Sequence, residues 1–195
     1  MFFVRRLAKT FLLALIIIKS ANAQLTEVKT DSGAYLGYSS EHVEGVIAYK
    51  GIGYAAPPVG DLRWKPPAPA IPFPGVREAN LAGPACWQAK NSDASVYARG
   101  DLSRSEDCLY LNVFTDAVSP KESMPVMVWF HGGGNTAGHG GPLIFDGSNL
   151  AKRGAVIVTA NYRLGAFGFL AHPELTAESE KIPLECTAFW IKSKF

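Results

Sequence analysis

The chain has 195 residues and a formal net charge of +2, and 48% of it is hydrophobic while 18% is charged. These proportions are those of a globular domain, and they exclude the basic excess that is typical of nucleic-acid-binding proteins.

The amino terminus has the features of an export signal. Basic residues within the first nine positions precede an apolar run at 11–18 that is too short to span a bilayer, and small residues occupy 21–23. We therefore predict a signal peptide at 1–23, a mature chain that begins at Gln24, and a secreted, extracellular protein. A membrane anchor is the alternative. No later run is long and apolar enough to form a transmembrane helix, so no membrane contact is expected after removal of the signal.

Short strands are predicted next. Turn signals separate the loosely alternating segments 26–30, 34–38 and 46–49, which indicate a small antiparallel sheet. Residues 51–64 contain too many prolines and glycines for a regular helix and are predicted to form an ordered loop, which continues in proline-rich style to 74. Such a stretch could be a linker between domains, but its large apolar side chains favour packing on a core. These side chains are Tyr54, Leu62, Trp64 and Phe73.

Three cysteines follow, and export makes a disulfide possible. Cys86 and Cys108 bracket a polar, turn-rich loop and are the pair that we expect, with a contribution of roughly 3 kcal/mol to stability. Cys186 is then left over, which is unusual in a secreted protein.

The second half contains the strands of a larger sheet. Leu109, Leu111 and Val113 alternate with polar residues, as in a half-buried strand. Val126–Phe130 and 155–160 are instead continuous apolar runs, which are typical of buried central strands in a covered sheet of the α/β class.

The first of these runs stops at His131 and is followed by Gly132, Gly133 and Gly134. Consecutive glycines weaken regular structure but let backbone N–H groups approach another group closely. Such donors can hold a developing negative charge in acyl transfer, and a His-Gly-Gly-Gly sequence after a strand is typical of oxyanion loops. Taken alone, the glycines fit a flexible turn equally well.

Four segments agree in order and spacing with one family. They are residues 57–64 (Pro-Pro-Val-Gly-Asp-Leu-Arg-Trp), 106–113 (Glu-Asp-Cys-Leu-Tyr-Leu-Asn-Val), 125–134 and 161–170. Together they resemble the amino-terminal part of the type-B carboxylesterases, the group of α/β-hydrolases that includes cholinesterases. The resemblance implies a domain at 24–180 with a small amino-terminal antiparallel sheet.

The resemblance also implies roles for individual residues. Gly133 and Gly134 would give N–H groups to an oxyanion hole, and Gly132 would shape the loop. Cys86–Cys108 matches a family disulfide, while a further pair, Arg63 and Glu106, matches a buried ion pair. The implied substrate is a small-molecule ester, and no cofactor is expected.

The serine nucleophile of the family is not found in this sequence. No Gly-x-Ser-x-Gly elbow occurs, and none of the four histidines is expected to act as a catalytic base. No set of side chains has the spacing of metal ligands. The histidines are His42, His131, His139 and His172.

The family pattern ends near position 180, and 181–195 form a non-family tail. We expect a chain truncated before the nucleophile elbow, as after a frameshift, a retained intron or an alternative exon. Such a chain would be inactive by itself and poorly stable, because an uncovered strand edge promotes aggregation. Two alternatives stay open at this point, namely a non-catalytic binding module of the same family and a product without function.

Overall fold

The computed structural model describes residues 26–89, 103–119 and 122–178. The predicted signal peptide at 1–23, the tail at 181–195 and Cys186 lie outside these described residues.

Short strands dominate the described part of the chain, and its three short α-helices follow the ninth strand. In chain order the strands are β1 (Glu27–Thr30), β2 (Gly33–Leu36), β3 (Tyr38–Ser39), β4 (Ile47–Gly53), β5 (Val76–Glu78), β6 (Ala85–Cys86), β7 (Arg104–Ser105), β8 (Tyr110–Thr115), β9 (Val126–Phe130) and β10 (Val156–Ala160). The helices are α1 (Ser148–Ala151), α2 (Gly165–Phe169) and α3 (Pro173–Glu178).

A small three-stranded sheet has the order β1-β2-β5. β1 and β2 form an antiparallel pair, but β5 runs parallel to β2. The predicted third strand at 46–49 lies elsewhere, so the expectation of a wholly antiparallel sheet is wrong. β5 was not predicted from the sequence, because its three residues are all exposed and show no apolar pattern.

The larger sheet has five strands in the order β3-β4-β8-β10-β9. Its neighbours are antiparallel except for β10 and β9, which are parallel. β4 continues to Gly53, although residues 51–53 were predicted to be loop. The strand accommodates Gly51, whose φ is +73°, by a shift of register between Tyr49 and Ile52, as in a β-bulge.

The two apolar strands differ in burial. β10 lies between β8 and β9, and its last four residues are buried. β9 pairs only with β10 among the described residues, and Val126 and Met127 are 60% and 54% exposed. The prediction of a buried central strand is therefore correct for β10 and wrong for β9.

Both faces of the larger sheet carry core side chains because residues alternate along β4. Ile47 and Tyr49 pack with Tyr35 of the small sheet, whereas Ala48 packs with Ala151 of α1. The larger sheet is thus covered by the small sheet on one face and by α1 on the other.

The glycine- and proline-rich segments are ordered and packed. Tyr54 packs against a buried cluster around the disulfide, and Phe73 meets Tyr35 edge to face at 5.2 Å between ring centroids. These contacts favour packing over a linker, although Leu62 is 37% exposed. Residues 165–169, within the glycine-containing segment 161–170, form helix α2. No helix within the described ranges is long and apolar enough to cross a membrane.

Candidate functional site

Tyr162 contacts His131, the residue directly after β9, both through its ring and through its hydroxyl group. The ring of His131 stacks on Tyr162 with centroids 4.4 Å apart, and the Tyr162 hydroxyl donates a hydrogen bond of 2.8 Å to the carbonyl oxygen of His131. Both side chains are buried, and burial raises the pKa of Tyr162, which keeps it a hydrogen-bond donor. His131 thus anchors the start of the glycine loop.

The glycines that follow are exposed, and the second of them has a conformation that only glycine fits. Gly133 has a φ of +124°, and a Cβ atom built there would lie 1.9 Å from the carbonyl oxygen of Ala137. The carbonyl of Gly133 accepts bonds of 3.2 Å from the N–H groups of Thr136 and Ala137, which curl the loop back on itself. Gly134 has a φ of +61° but open space around it.

Two N–H groups of this loop have no hydrogen-bond acceptor among the described residues. Within the part of the chain that the structure describes, neither the N–H of Gly133 nor that of Gly134 donates a hydrogen bond. Both residues are exposed. Backbone donors in such a position can bind an oxyanion when they reach it at about 2.7–3.1 Å.

A buried polar network holds the far end of the loop on the larger sheet. The N–H of Gly140 donates to Oδ1 of Asn161 at 2.7 Å. The carbonyl of Gly140 accepts from Asn112 Nδ2 at 3.1 Å and from Thr159 Oγ1 at 2.8 Å. Asn112 on β8 and Thr159 on β10 are direct cross-strand partners, so the backbone of Gly140 lies across the two strands.

His139 is buried beside this network and is poorly suited to act as a base. Its Nδ1 accepts a hydrogen bond of 3.1 Å from the N–H of Gly141, and only 4% of the residue is exposed. Burial, followed by the nearby His131 and Arg104, lowers the pKa of His139 to about 4. The ring is therefore neutral at neutral pH.

The disulfide and the ion pair line one small cavity. Cys86 and Cys108 are joined by a bond of 1.98 Å. Arg63 donates two hydrogen bonds to Glu106, at 2.6 and 2.8 Å, which raise the pKa of the guanidinium. The two side chains are 37% and 18% exposed, so this ion pair is partly buried.

Several residues of the site were not identified from the sequence. Asn112, Thr159 and Asn161 stand at inward-facing positions of otherwise apolar segments, and that polar interruption was the available signal. Gln88, whose side chain bridges Cys86 and Gly138, stands in a loop and carries no such signal.

Metal binding has no support in the described residues, which contain no group of three or more His, Cys, Asp or Glu side chains that could hold an ion.

Comparisons with known proteins identify relatives of this chain. A sequence model described as the carboxylesterase family matches residues 24–179. The fumonisin B1 esterase of Sphingopyxis macrogoltabida is 45% identical over 178 residues, which are 89% of this chain and 31% of that protein. The para-nitrobenzyl esterase of Bacillus subtilis is 49% identical over 128 residues, or 65% of this chain and 26% of that protein.

The fold is also found among solved structures. A para-nitrobenzyl esterase structure superimposes with a TM-score of 0.72 at 38% identity, covering 87% of this chain and 35% of the other. The chain thus spans between a quarter and about a third of the length of these relatives.

Proposed function

Because the chain belongs to the carboxylesterase family, we propose that it supplies the oxyanion hole of a carboxylic ester hydrolase. The N–H groups of Gly133 and Gly134 are the donors, and Gly132 shapes the loop. The observation that carries this proposal is the loop geometry, in which two exposed glycines, whose N–H groups have no acceptor among the described residues, follow a firmly anchored strand end.

The chemistry of ester hydrolysis explains why such donors matter. When a serine oxygen attacks the ester carbonyl, the carbonyl electron pair moves onto oxygen and creates an oxyanion. Donors that are already in place stabilise that charge without reorganisation. Each of them lowers the activation free energy by roughly 3–4 kcal/mol. The alcohol then leaves, and water releases the acid from the acyl-enzyme.

The remaining catalytic groups are proposed to come from outside this sequence. The 195 residues contain no Gly-x-Ser-x-Gly elbow, so we expect the chain by itself to hydrolyse no ester. The relatives are named for a fumonisin B1 ester and a para-nitrobenzyl ester, which supports a small-molecule ester as the substrate class. This chemistry needs no cofactor. We also propose that the segment 1–23 directs export, with the protein functioning outside the cell.

A first experiment measures hydrolysis of a short-chain p-nitrophenyl ester by the purified chain, with a serine-directed phosphonate as a mass-shift probe. We expect neither turnover nor an adduct. Turnover together with an adduct on one serine would overturn the assignment of the nucleophile to a region outside this chain.

A second experiment asks whether the loop works when a nucleophile is supplied. Residues 24–178 replace the matching segment of the Bacillus subtilis para-nitrobenzyl esterase, which provides its own nucleophile. We expect the chimera to hydrolyse the p-nitrophenyl ester. A chimera that folds cooperatively and reacts with the phosphonate but does not turn over ester would contradict the oxyanion proposal.

A further inference from the structure

The side chain of Gln88 connects the disulfide region to the glycine loop. Its Oε1 accepts a hydrogen bond of 2.7 Å from the N–H of Gly138, and its Nε2 donates one of 2.8 Å to the carbonyl oxygen of the same residue. One primary amide thus pairs with both polar groups of one backbone residue. Two opposed bonds define the position of that residue better than a single bond does.

The second hydrogen of the amide is also used. Nε2 donates to the carbonyl oxygen of Cys86 at 3.1 Å, so both of its N–H donors have acceptors. Reversing the amide would place an NH₂ group against the N–H of Gly138, and it would leave two carbonyl oxygens facing an oxygen. The network therefore permits a single orientation of the Gln88 amide.

The residue that Gln88 holds lies directly against the start of the loop. Gly138 has a φ of +115°, and a Cβ atom built on it would lie 2.3 Å from Nδ1 of His131 and 2.6 Å from the carbonyl oxygen of Gly132. A displacement of Gly138 is therefore passed on to His131 and Gly132, because the backbone and these groups have no space between them.

The other end of the connection is firmly placed. Cys86 belongs to β6, which pairs with β7, and it is bonded to the buried Cys108. The carbonyl of Cys108 in turn accepts a hydrogen bond of 3.1 Å from Asn161 Nδ2, and the Oδ1 of Asn161 holds Gly140. The loop is thus held at Gly138 from the disulfide side and at Gly140 from the sheet.

From this geometry we infer that Gln88 is a positioning residue that sets the place of the oxyanion donors of Gly133 and Gly134 relative to the disulfide-anchored core. The inference rests on the proposed function for its catalytic meaning. The hydrogen-bond connection itself can be measured without any substrate.

The test is amide hydrogen exchange, followed residue by residue by NMR, on the full chain expressed for export so that the disulfide forms. Gln88→Met keeps the length of the side chain but removes all three hydrogen bonds. Gln88→Glu keeps an acceptor for the N–H of Gly138 and loses both donors. Thr30→Val is the matched control, because it removes a side chain–backbone hydrogen bond to Gly33 in a distant turn.

We expect the Gly138 amide to be protected in the parent chain and in Gln88→Glu. In Gln88→Met it should exchange about tenfold faster or more, as follows from the loss of one hydrogen bond. The amide signals of residues 132–134 should shift in both Gln88 variants but not in Thr30→Val. The amides of β10 should keep their exchange rates throughout, because a positioning role is local.

Three outcomes would overturn the inference. One is a Gly138 amide that exchanges in the parent chain at the rate of an unstructured peptide. Another is exchange in Gln88→Met that equals the parent rate at Gly138. The third is equal acceleration across β10, which would make Gln88 a general stabilising residue. If Gln88→Met does not fold, Gln88→Glu provides the test. Unshifted amide signals at residues 132–134, or an unprotected Gly138 amide, in that variant would refute the positioning role.

The two proposals can fail separately. An inactive chimera would remove the oxyanion role but leave the exchange pattern of Gly138 standing. Unchanged exchange in the Gln88 variants would remove the positioning role but leave the oxyanion proposal intact.

Discussion

Replacing Gly133 by alanine is the change that bears most directly on the proposed oxyanion hole. The new Cβ atom would lie 1.9 Å from the carbonyl oxygen of Ala137, whereas carbon and oxygen in close contact lie about 3.3–3.6 Å apart. The loop must therefore open by about 1.5 Å, given that contact distance. A φ of +124° is also a conformation that alanine adopts only at a cost of about 1–3 kcal/mol.

The expected effect on catalysis follows from that displacement. A misplacement of about 1 Å can reduce a rate 10²-fold, and loss of one oxyanion donor costs about 10²–10³-fold in kcat. We therefore expect Gly133→Ala to lower the kcat of the chimera at least ~10²-fold, with a smaller effect on KM, because the donors act on charge that develops in the transition state.

Gly154→Ala provides the matched control. Gly154 also has a positive φ, of +88°, but no atom lies within 4 Å of its Cβ position. It therefore reports the strain of alanine in this backbone region without a collision and outside the loop. We expect a small loss of stability and a kcat within about twofold of the parent chimera. An unchanged kcat in Gly133→Ala, or an equal loss in both variants, would refute the argument from loop geometry.

Three further predictions concern stability, measured by urea denaturation of the full chain. Replacing Cys86 and Cys108 by serine opens a loop with a sequence separation of 22, and it should lower the free energy of unfolding by roughly 3 kcal/mol; an unchanged midpoint would contradict the role of the disulfide. Asn112→Leu leaves the N–H of Gly51 without its acceptor and removes one donor to Gly140, at about 1–3 kcal/mol. Asn112→Asp should lose more, because it places a buried carboxylate oxygen against the carbonyl oxygen of Gly140; a smaller loss in the Asp variant would contradict the network. The third prediction concerns pH, because the pKa of His139 is lowered from 6.5 to about 4 in the folded chain. Between these two pH values the unfolded chain binds more protons than the folded chain. The free energy of unfolding should therefore decrease as the pH falls from about 6.5 towards 4. His139→Asn should weaken that pH dependence, and an identical pH profile in the variant would show that another group is responsible.

The sequence by itself was sufficient for the family and for the existence of the strand that precedes the glycine loop. Motifs such as His131 with its three glycines, and the strand Val126–Phe130 before them, depend on residue type and short spacing. A strand of continuous apolar residues needs a neighbouring strand, and consecutive glycines end that strand in a loop. Such requirements are local, so they can be read from a single chain.

Tertiary structure alone decided which distant segments hold the loop. Gln88 and Gly138 are 50 positions apart, and Asn112 and Thr159 are 47 apart. Hydrogen bonds between such residues leave no periodic pattern in the sequence. Gln88 looks like an ordinary loop residue, and the polar interruptions at Asn112 and Thr159 do not reveal which residues they bind. The placement of β5 beside β2, and of β9 beside β10 alone among the described strands, depended in the same way on contacts between segments far apart in the chain. The glycine loop can thus be recognised from adjacent residues, but its position is set by long-range contacts that form only when the chain folds.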